Sequence, residues 1–279
     1  MISIMKSILV PCNFSRQAEL AFQFALELAS TENSEIFVLT VLKSNDSGSE
    51  ERNKVEKESA GNFARLIQNH NILNIPVTHI LASGQITSAV LDTVEKKNID
   101  LIVMGTHGSR GWNEFFMGSN IEKVVRISPV PVFAVKSSTP LRSIHNIVFP
   151  TSLKSDQPEI IEKIKTLQKN FRARLHILRI NTSENRHSQI TMDQMNDYAL
   201  HHALTNFTLT IRQESDVKEG IIRFAREINA DMIAMATHGN RDPKNMYSQS
   251  VAADIVNHAN MLIWTCSTSK SNKSLHSVV

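Results

Sequence analysis

Three glycines and a serine follow an apolar segment in the first half of the sequence, with the spacing Gly-x2-Gly-x9-Gly-Ser. They are Gly105, Gly108, Gly118 and Ser119. The apolar residues before them predict a buried strand, and the helical spacing of apolar residues after them predicts a helix. Glycines let a backbone approach a ligand closely, and free N–H groups at a helix start attract anions. The segment is therefore a candidate phosphate cradle.

This spacing differs from two well-known phosphate-binding motifs. The dinucleotide fingerprint places its glycines closer together, and the P-loop ends in Gly-Lys followed by Ser or Thr. A simpler interpretation stays open at this point, because glycines after a strand often only form a turn.

Composition limits the classes of partner. The net charge of +3 and the lack of a dense Lys/Arg run argue against a nucleic-acid or membrane partner. Lys6 interrupts the apolar start of the chain, so we predict neither a signal peptide nor a membrane span and expect a cytoplasmic protein. Cys12 and Cys266 are the only cysteines and predict reduced thiols; we expect Cys12 to be a small buried residue.

Predicted strands and helices alternate along the chain, and this alternation occurs twice. Such a pattern predicts a doubly wound α/β fold, with a parallel sheet and helices on both faces. Ligands of such sheets bind beyond the C-terminal ends of the strands, here the first, second and fourth. The predicted strands are 7–11, 35–42, 76–81, 101–104 and 130–135, then 144–150, 174–180, 207–211, 231–235 and 261–265. The predicted helices after the first one, which Ser15 can cap, are 51–69, 86–97, 158–170, 192–205, 217–228 and 250–258.

The sequence Met-x-Thr-His-Gly occurs at 104–108 and again at 235–239, each time after a predicted fourth strand. With the polar linker at 137–140, this repeat indicates a tandem duplication. Each half has the size of an ordinary domain. We predict domains at 1–137 and 143–268, and expect the Ser/Lys-rich tail 269–279 to be disordered.

The glycine segment, its partial repeat and the order of the elements resemble the universal stress protein family. The resemblance implies two five-stranded parallel sheets of the adenine nucleotide α-hydrolase-like type, each flanked by helices. Family members include ATP-binding and non-binding types, and they commonly dimerise through their fifth strands. We therefore expect the two fifth strands to pair within this chain; further homodimerisation stays open. Exposed edges favour such pairing.

The resemblance also implies an adenine nucleotide site in the first half, for ATP with or without Mg²⁺. Val41 would contact adenine, while Met104 and Gly105 would line the base and ribose. The phosphates would lie against the two later glycines, the serine and the backbone at the following helix. The complete set of implied binding positions is Pro11, Asn13, Val41, Met104, Gly105, Gly108, Gly118, Ser119 and Asn120.

Asn13 departs from the family pattern, because nucleotide-binding members usually carry aspartate there. An amide offers one acceptor oxygen where a carboxylate offers two, so the change weakens ribose recognition. The second half departs further. Ala236 replaces the first glycine and Gln249 replaces the third, and Ser152 stands at the position of Asn13. We predict that this half does not bind ATP in the family manner and that its role is structural or regulatory.

The leading hypothesis is a nucleotide-binding stress-response protein that acts through an unidentified protein partner. The alternative is a nucleotide-free interaction module. A third and weaker possibility is an enzyme of the wider adenine nucleotide group that adenylates a substrate. We identify no catalytic residues, and no Cys/His group shows the spacing of a metal site.

Overall fold

The computed structural model describes residues 5–42, 49–70, 72, 74–106, 120–153, 158–182, 190–237 and 246–267. The first half contains β1 (Ser7–Pro11), α1 (Arg16–Glu32), β2 (Glu35–Leu42), α2 (Ser49–Asn69), β3 (Val77–Ser83), α3 (Ile86–Lys96), β4 (Leu101–Gly105), α4 (Asn120–Ile127) and β5 (Val132–Val135). A 3-10 turn at Leu141–Ser143 leads to the second half. This half contains β6 (Asn146–Pro150), α5 (Pro158–Phe171), β7 (Arg174–Asn181), α6 (Met192–His201), β8 (Phe207–Gln213), α7 (Val217–Glu227), β9 (Met232–Thr237), α8 (Met246–His258) and β10 (Leu262–Ser267).

All ten of these strands form one sheet, in the order β3-β2-β1-β4-β5-β10-β9-β6-β7-β8. Neighbours within each half are parallel, whereas β5 and β10 are antiparallel. The predicted α/β fold and the pairing of the fifth strands are therefore confirmed. Phe133 of β5 lies opposite its counterpart Trp264 of β10, so an approximate two-fold axis relates the halves at this junction.

The central strands are buried on both faces because helices cover both sides of the sheet, whereas the edge strands β3 and β8 are partly exposed. One apolar layer packs against α1, α2, α5 and α6, through side chains such as Phe22 and Ile161. The other packs against α3, α4, α7 and α8, through side chains such as Val124 and Val256. Each layer contains residues of both halves, so a continuous core joins the two copies. Within the described residues, no helix combines the length and apolar character that a bilayer span requires.

Left-handed backbone residues recur at matching positions of the two halves. Phe14 and Leu153, with φ of 58° and 57°, follow the first strand of each copy. Asn98 and Asn229, with φ of 49° and 50°, precede the fourth strand. Since left-handed conformations are uncommon outside glycine, their recurrence supports a duplication at the level of the backbone.

Several predicted boundaries shift in the structure. The helix predicted to reach residue 205 was wrong at its end, because α6 stops at His201 and Ala203 turns left-handed with φ of 49°. The strands β3 and β8 each run two residues beyond their predicted ends. The prolines at 129 and 131 delay β5, which begins at Val132.

Candidate functional site

The crevice of interest in the first half lies where β1 and β4 are neighbours. From β1 the chain crosses through α1 to β2 on one side, whereas β4 lies on the other side. Strand order therefore reverses at this point. Such a switch point is the usual ligand position of an open α/β sheet.

Three predicted site residues share one face of the sheet beside this crevice. Met104 is buried in the apolar layer beneath α3 and α4, and Val41 packs against the same layer. Pro11 is buried, and it lies two residues after Leu9 of that layer, so strand alternation directs it to the same face. Together they form an apolar floor of the kind that a planar base could contact.

Asn13 lies at the surface beside this floor. Its Oδ1 accepts a hydrogen bond of 3.2 Å from the backbone N–H of Ser15. The Ser15 hydroxyl in turn accepts from the Ala18 N–H at 3.4 Å and so caps α1, as the sequence predicts. The one amide oxygen of Asn13 is thus already bonded to its own loop, although a carbonyl oxygen has a second lone pair.

Gly105 ends β4 and lies against the first turn of α1. A Cβ atom at this position would lie 2.1 Å from the backbone oxygen of Gln17 and 2.4 Å from its carbonyl carbon. The helix can therefore approach the strand only because residue 105 lacks a side chain. Packing explains this glycine of the predicted motif, whether or not a ligand also lies beside it.

The matching edge of the second half is built differently. Ala236 occupies the position of Gly105, and its methyl group packs against the core. The described part of α5 begins eight residues after Pro150, whereas α1 begins five residues after Pro11. In the described residues, therefore, no helical turn of α5 takes the place against Ala236 that the first turn of α1 takes against Gly105.

Asn120 is exposed and is the first residue of α4, which runs from the glycine segment into the core. Gly108, Gly118 and Ser119 lie outside the described residues. Met104, Val41 and Pro11 thus share one sheet face at the switch point, and Asn13 and Gly105 lie at the ends of the same two strands, β1 and β4. Their roles in binding, and those of the four remaining positions, stay predictions.

Lys136 adds a cation just beyond the end of β5. Its ammonium group donates to the backbone oxygen of Ala259, which follows α8 of the second half. Burial lowers the pKa of Lys136 to about 8. Because Gly105 pairs with Val135, this contact ties the β4 edge of the first half to the second half.

Sequence reasoning missed Arg179 of β7. The residue is 7 % exposed, and its Nε donates to Oδ1 of Asn181 at 3.1 Å. The signal was present in the sequence, since an arginine interrupts the apolar run of the predicted strand at a position where strand alternation predicts burial.

The universal stress protein family model matches residues 5–136 and matches again at residues 143–264. The chain belongs to this family. Two curated relatives each align with 47 % of this chain. Universal stress protein MJ0577 of Methanocaldococcus jannaschii is 26 % identical over 153 residues, which cover 94 % of that protein. Universal stress protein Sll1654 of Synechocystis is 29 % identical over 135 residues, which cover 85 % of that protein.

The two-copy architecture also has a solved counterpart. A universal stress protein from Archaeoglobus fulgidus superposes with a TM-score of 0.75, over 95 % of this chain and 99 % of that chain. The sequence identity is 18 %, so the likeness establishes the fold.

Both cysteines of this family member are buried free thiols. Burial raises the pKa of Cys12 to about 11, which keeps the thiol protonated near neutral pH. The prediction that Cys12 is a small buried residue is confirmed. Among the residues that the structure describes, no group of three or more His, Cys, Asp and Glu side chains could hold a metal ion.

Proposed function

We propose that the first half binds ATP or a related adenine nucleotide in the crevice between β1 and β4. The observation that carries this proposal is the convergence of Pro11, Val41 and Met104 on one sheet face at the switch point. An apolar floor beside strand ends is suited to a base, and the N-terminus of α4 is suited to phosphate. Family membership supports the same assignment.

Within this proposal, adenine contacts Val41 and the ribose lies near Asn13. Met104 and the backbone at Gly105 line the base and ribose, and Pro11 lies at the start of the loop that carries Asn13. The positions proposed for phosphate, with or without Mg²⁺, are Gly108, Gly118, Ser119 and the backbone of Asn120. We assign no catalytic residue, so the proposed role is binding, with an unidentified protein partner responding to the bound state.

The second half has a structural or regulatory role in this proposal. Ala236 and Gln249 carry side chains where the first half has glycines, and a side chain obstructs close approach of a backbone to phosphate. We retain 1–137 and 143–268 as proposed domains, 269–279 as a proposed tail, and the cytoplasm as the proposed location. Homodimerisation beyond the internal pairing is also a proposal.

Isothermal calorimetry of the purified chain with ATP and Mg²⁺ tests nucleotide binding. We expect saturable binding in the wild type and its loss in Gly118→Gln, which copies the second half. Gln249→Gly is the matched control and should leave the affinity unchanged. Lack of binding at millimolar ATP would contradict the proposal, and retained affinity in Gly118→Gln would place the site elsewhere.

One observation favours a second candidate, a nucleotide-free interaction module. The Asn13 oxygen is bonded to the Ser15 N–H, and no carboxylate stands there to take a ribose hydroxyl as well. Mass spectrometry of ligands released from protein purified from cells distinguishes the two functions. Stoichiometric adenine nucleotide supports the first candidate, and its absence together with a null calorimetric titration supports the second.

A further inference from the structure

Arg179 places a positive charge inside the second half. It lies near the C-terminal end of β7, and the residue is 7 % exposed. Strand alternation from Leu175 and Ile177 directs it to the sheet face that α5 and α6 cover. Burial lowers the pKa of this guanidinium, as expected for a cation moved out of water.

Within the described residues, the guanidinium of Arg179 has fewer hydrogen-bond partners than donors. A guanidinium carries five N–H donors, and only Nε is bonded in the described structure, to Oδ1 of Asn181 at 3.1 Å. Among the residues that the structure describes, no carboxylate forms an ion pair with Arg179. Burying a charge without a counter-ion is unfavourable, so the remaining donors favour an acceptor with negative charge.

In the first half, an uncharged residue occupies the position that corresponds to Arg179. Thr40 stands at the position of Arg179, and its hydroxyl lies 3.1 Å from Nε2 of His79. The His79 ring stacks on Phe63 with the ring centroids 4.5 Å apart. Burial lowers the pKa of His79, which favours its neutral form. The fold therefore does not require a cation at this position.

Two buried polar residues follow Arg179 at the strand end. Asn181 is 2 % exposed, and its Nδ2 donates to the backbone oxygen of Ile190 at 3.4 Å, which fixes the amide that faces Arg179. Thr182, the next residue, is also buried. The first strand of this half, β6, neighbours both β7 and β9, so this polar group lies beside the switch point of the second half.

We infer that the second half binds a small oxyanion, a carboxylate or a phosphate group, against the Arg179 guanidinium on the α5/α6 face of the sheet. The planar fork of a guanidinium matches the paired oxygens of these groups. Asn181 holds Nε and thereby orients the two terminal nitrogens. The inference is independent of the proposed nucleotide site, which lies in the other half and on the opposite face of the sheet.

The test is an NMR titration of arginine Nε–Hε signals in the full-length chain, at ionic strength held constant with chloride. The probes are inorganic phosphate, acetate and ATP in separate titrations. We expect a saturable shift of the Arg179 signal with phosphate or acetate. A response to ATP alone would contradict the inference, because it would be an effect of the nucleotide and not the binding of a small oxyanion, and Gly118→Gln shows whether such a response depends on the first-half site.

Variants identify the group that binds. Arg179→Met should weaken anion affinity at least about tenfold, measured by anion-dependent thermal stabilisation of the chain. Arg174→Met removes an exposed arginine of the same strand and should leave the affinity unchanged. If Arg179→Met does not fold, Asn181→Ala serves instead, because it frees the guanidinium and should weaken binding while Arg179 remains.

Two further results would overturn the inference. An Arg179 signal that does not respond to any probe, or that shifts without saturation, would show a solvated arginine without an anion site. If the same signal shifts in Asp156→Asn or Glu184→Gln without added anion, relative to the wild type, a carboxylate of the chain itself occupies the proposed anion site. These acidic residues belong to the two adjoining segments outside the described residues.

Discussion

The two halves of the molecule share their backbone and differ at the C-terminal ends of their strands. Strand order, left-handed residues and buried layers recur in both copies. At the strand ends, however, Gly105 of the first half corresponds to Ala236 of the second. The neutral Thr40 likewise corresponds to the charged Arg179. The core therefore needs only apolar strands and correct turns, while the strand ends can change chemistry without changing the fold.

Truncation of the Phe133 side chain should lower the stability of the chain most, because this ring packs against both halves. It is 1 % exposed, and its ring lies 5.1 Å from that of Phe24 and 6.5 Å from that of Phe171, one from each half. Phe133→Ala should lower the free energy of unfolding by about 4 kcal/mol, because it leaves a cavity at the junction. Urea denaturation measures this change.

The matched control at this junction is Trp264→Phe, which keeps an aromatic ring at the position opposite Phe133. It should cost less than Phe133→Ala. A loss below about 1 kcal/mol in Phe133→Ala would show that the junction does not join the two cores.

Gly105→Ala should be the next most harmful change. The added methyl group would meet the backbone of Gln17 at 2.1 Å, and a helix backbone cannot yield as a side chain can. We expect a loss of about 3 kcal/mol in urea denaturation. The mirror change Ala236→Gly should cost only about 1 kcal/mol. If the two variants lower the free energy of unfolding equally, close packing against Gln17 does not explain the glycine at position 105.

Several features of the fold could be predicted from the sequence alone. Local signals define β1, β2 and the Ser15 cap, because apolar runs and capping residues act within a few positions. Pairing of the fifth strands followed from the family resemblance and from their unpaired edges. These predictions succeeded because each depends on local sequence or on the repeated order of elements.

The features that were missed depend on residues far apart in sequence. The clash that excludes a side chain at Gly105 involves Gln17, and only the packed structure brings them together. The burial of Arg179 depends on how α5 and α6 cover the sheet. The end of α6 was missed because the left-handed turn at Ala203 carries no glycine or asparagine signal.

Asn13→Asp should increase the difference in ATP affinity between the two halves. One carboxylate oxygen could keep the Ser15 N–H bond while the other accepts from a ribose hydroxyl. We expect about tenfold tighter ATP binding by calorimetry, because charged acceptors form stronger hydrogen bonds. Ser152→Asp is the control in the second half and should have no effect on ATP affinity. Tighter binding in Ser152→Asp would contradict the assignment of the site to the first half.

Acid should destabilise both halves slightly through His79 and His176. Burial lowers the pKa of each below 6.5, so the unfolded chain binds protons more readily than the folded chain. Their contribution is present above pH 6.5 and is lost as the pH falls through the lower folded values. His79→Gln and His176→Gln should each reduce the loss of stability between neutral and mildly acidic pH. An unchanged pH dependence in both variants would exclude this source.

The central claim is that one half binds nucleotide and the other does not. Native mass spectrometry of the intact chain with ATP and Mg²⁺ counts bound nucleotides directly. We predict one nucleotide per chain at saturation in the wild type and none in Gly118→Gln. Two nucleotides per wild-type chain, or none, would contradict the account.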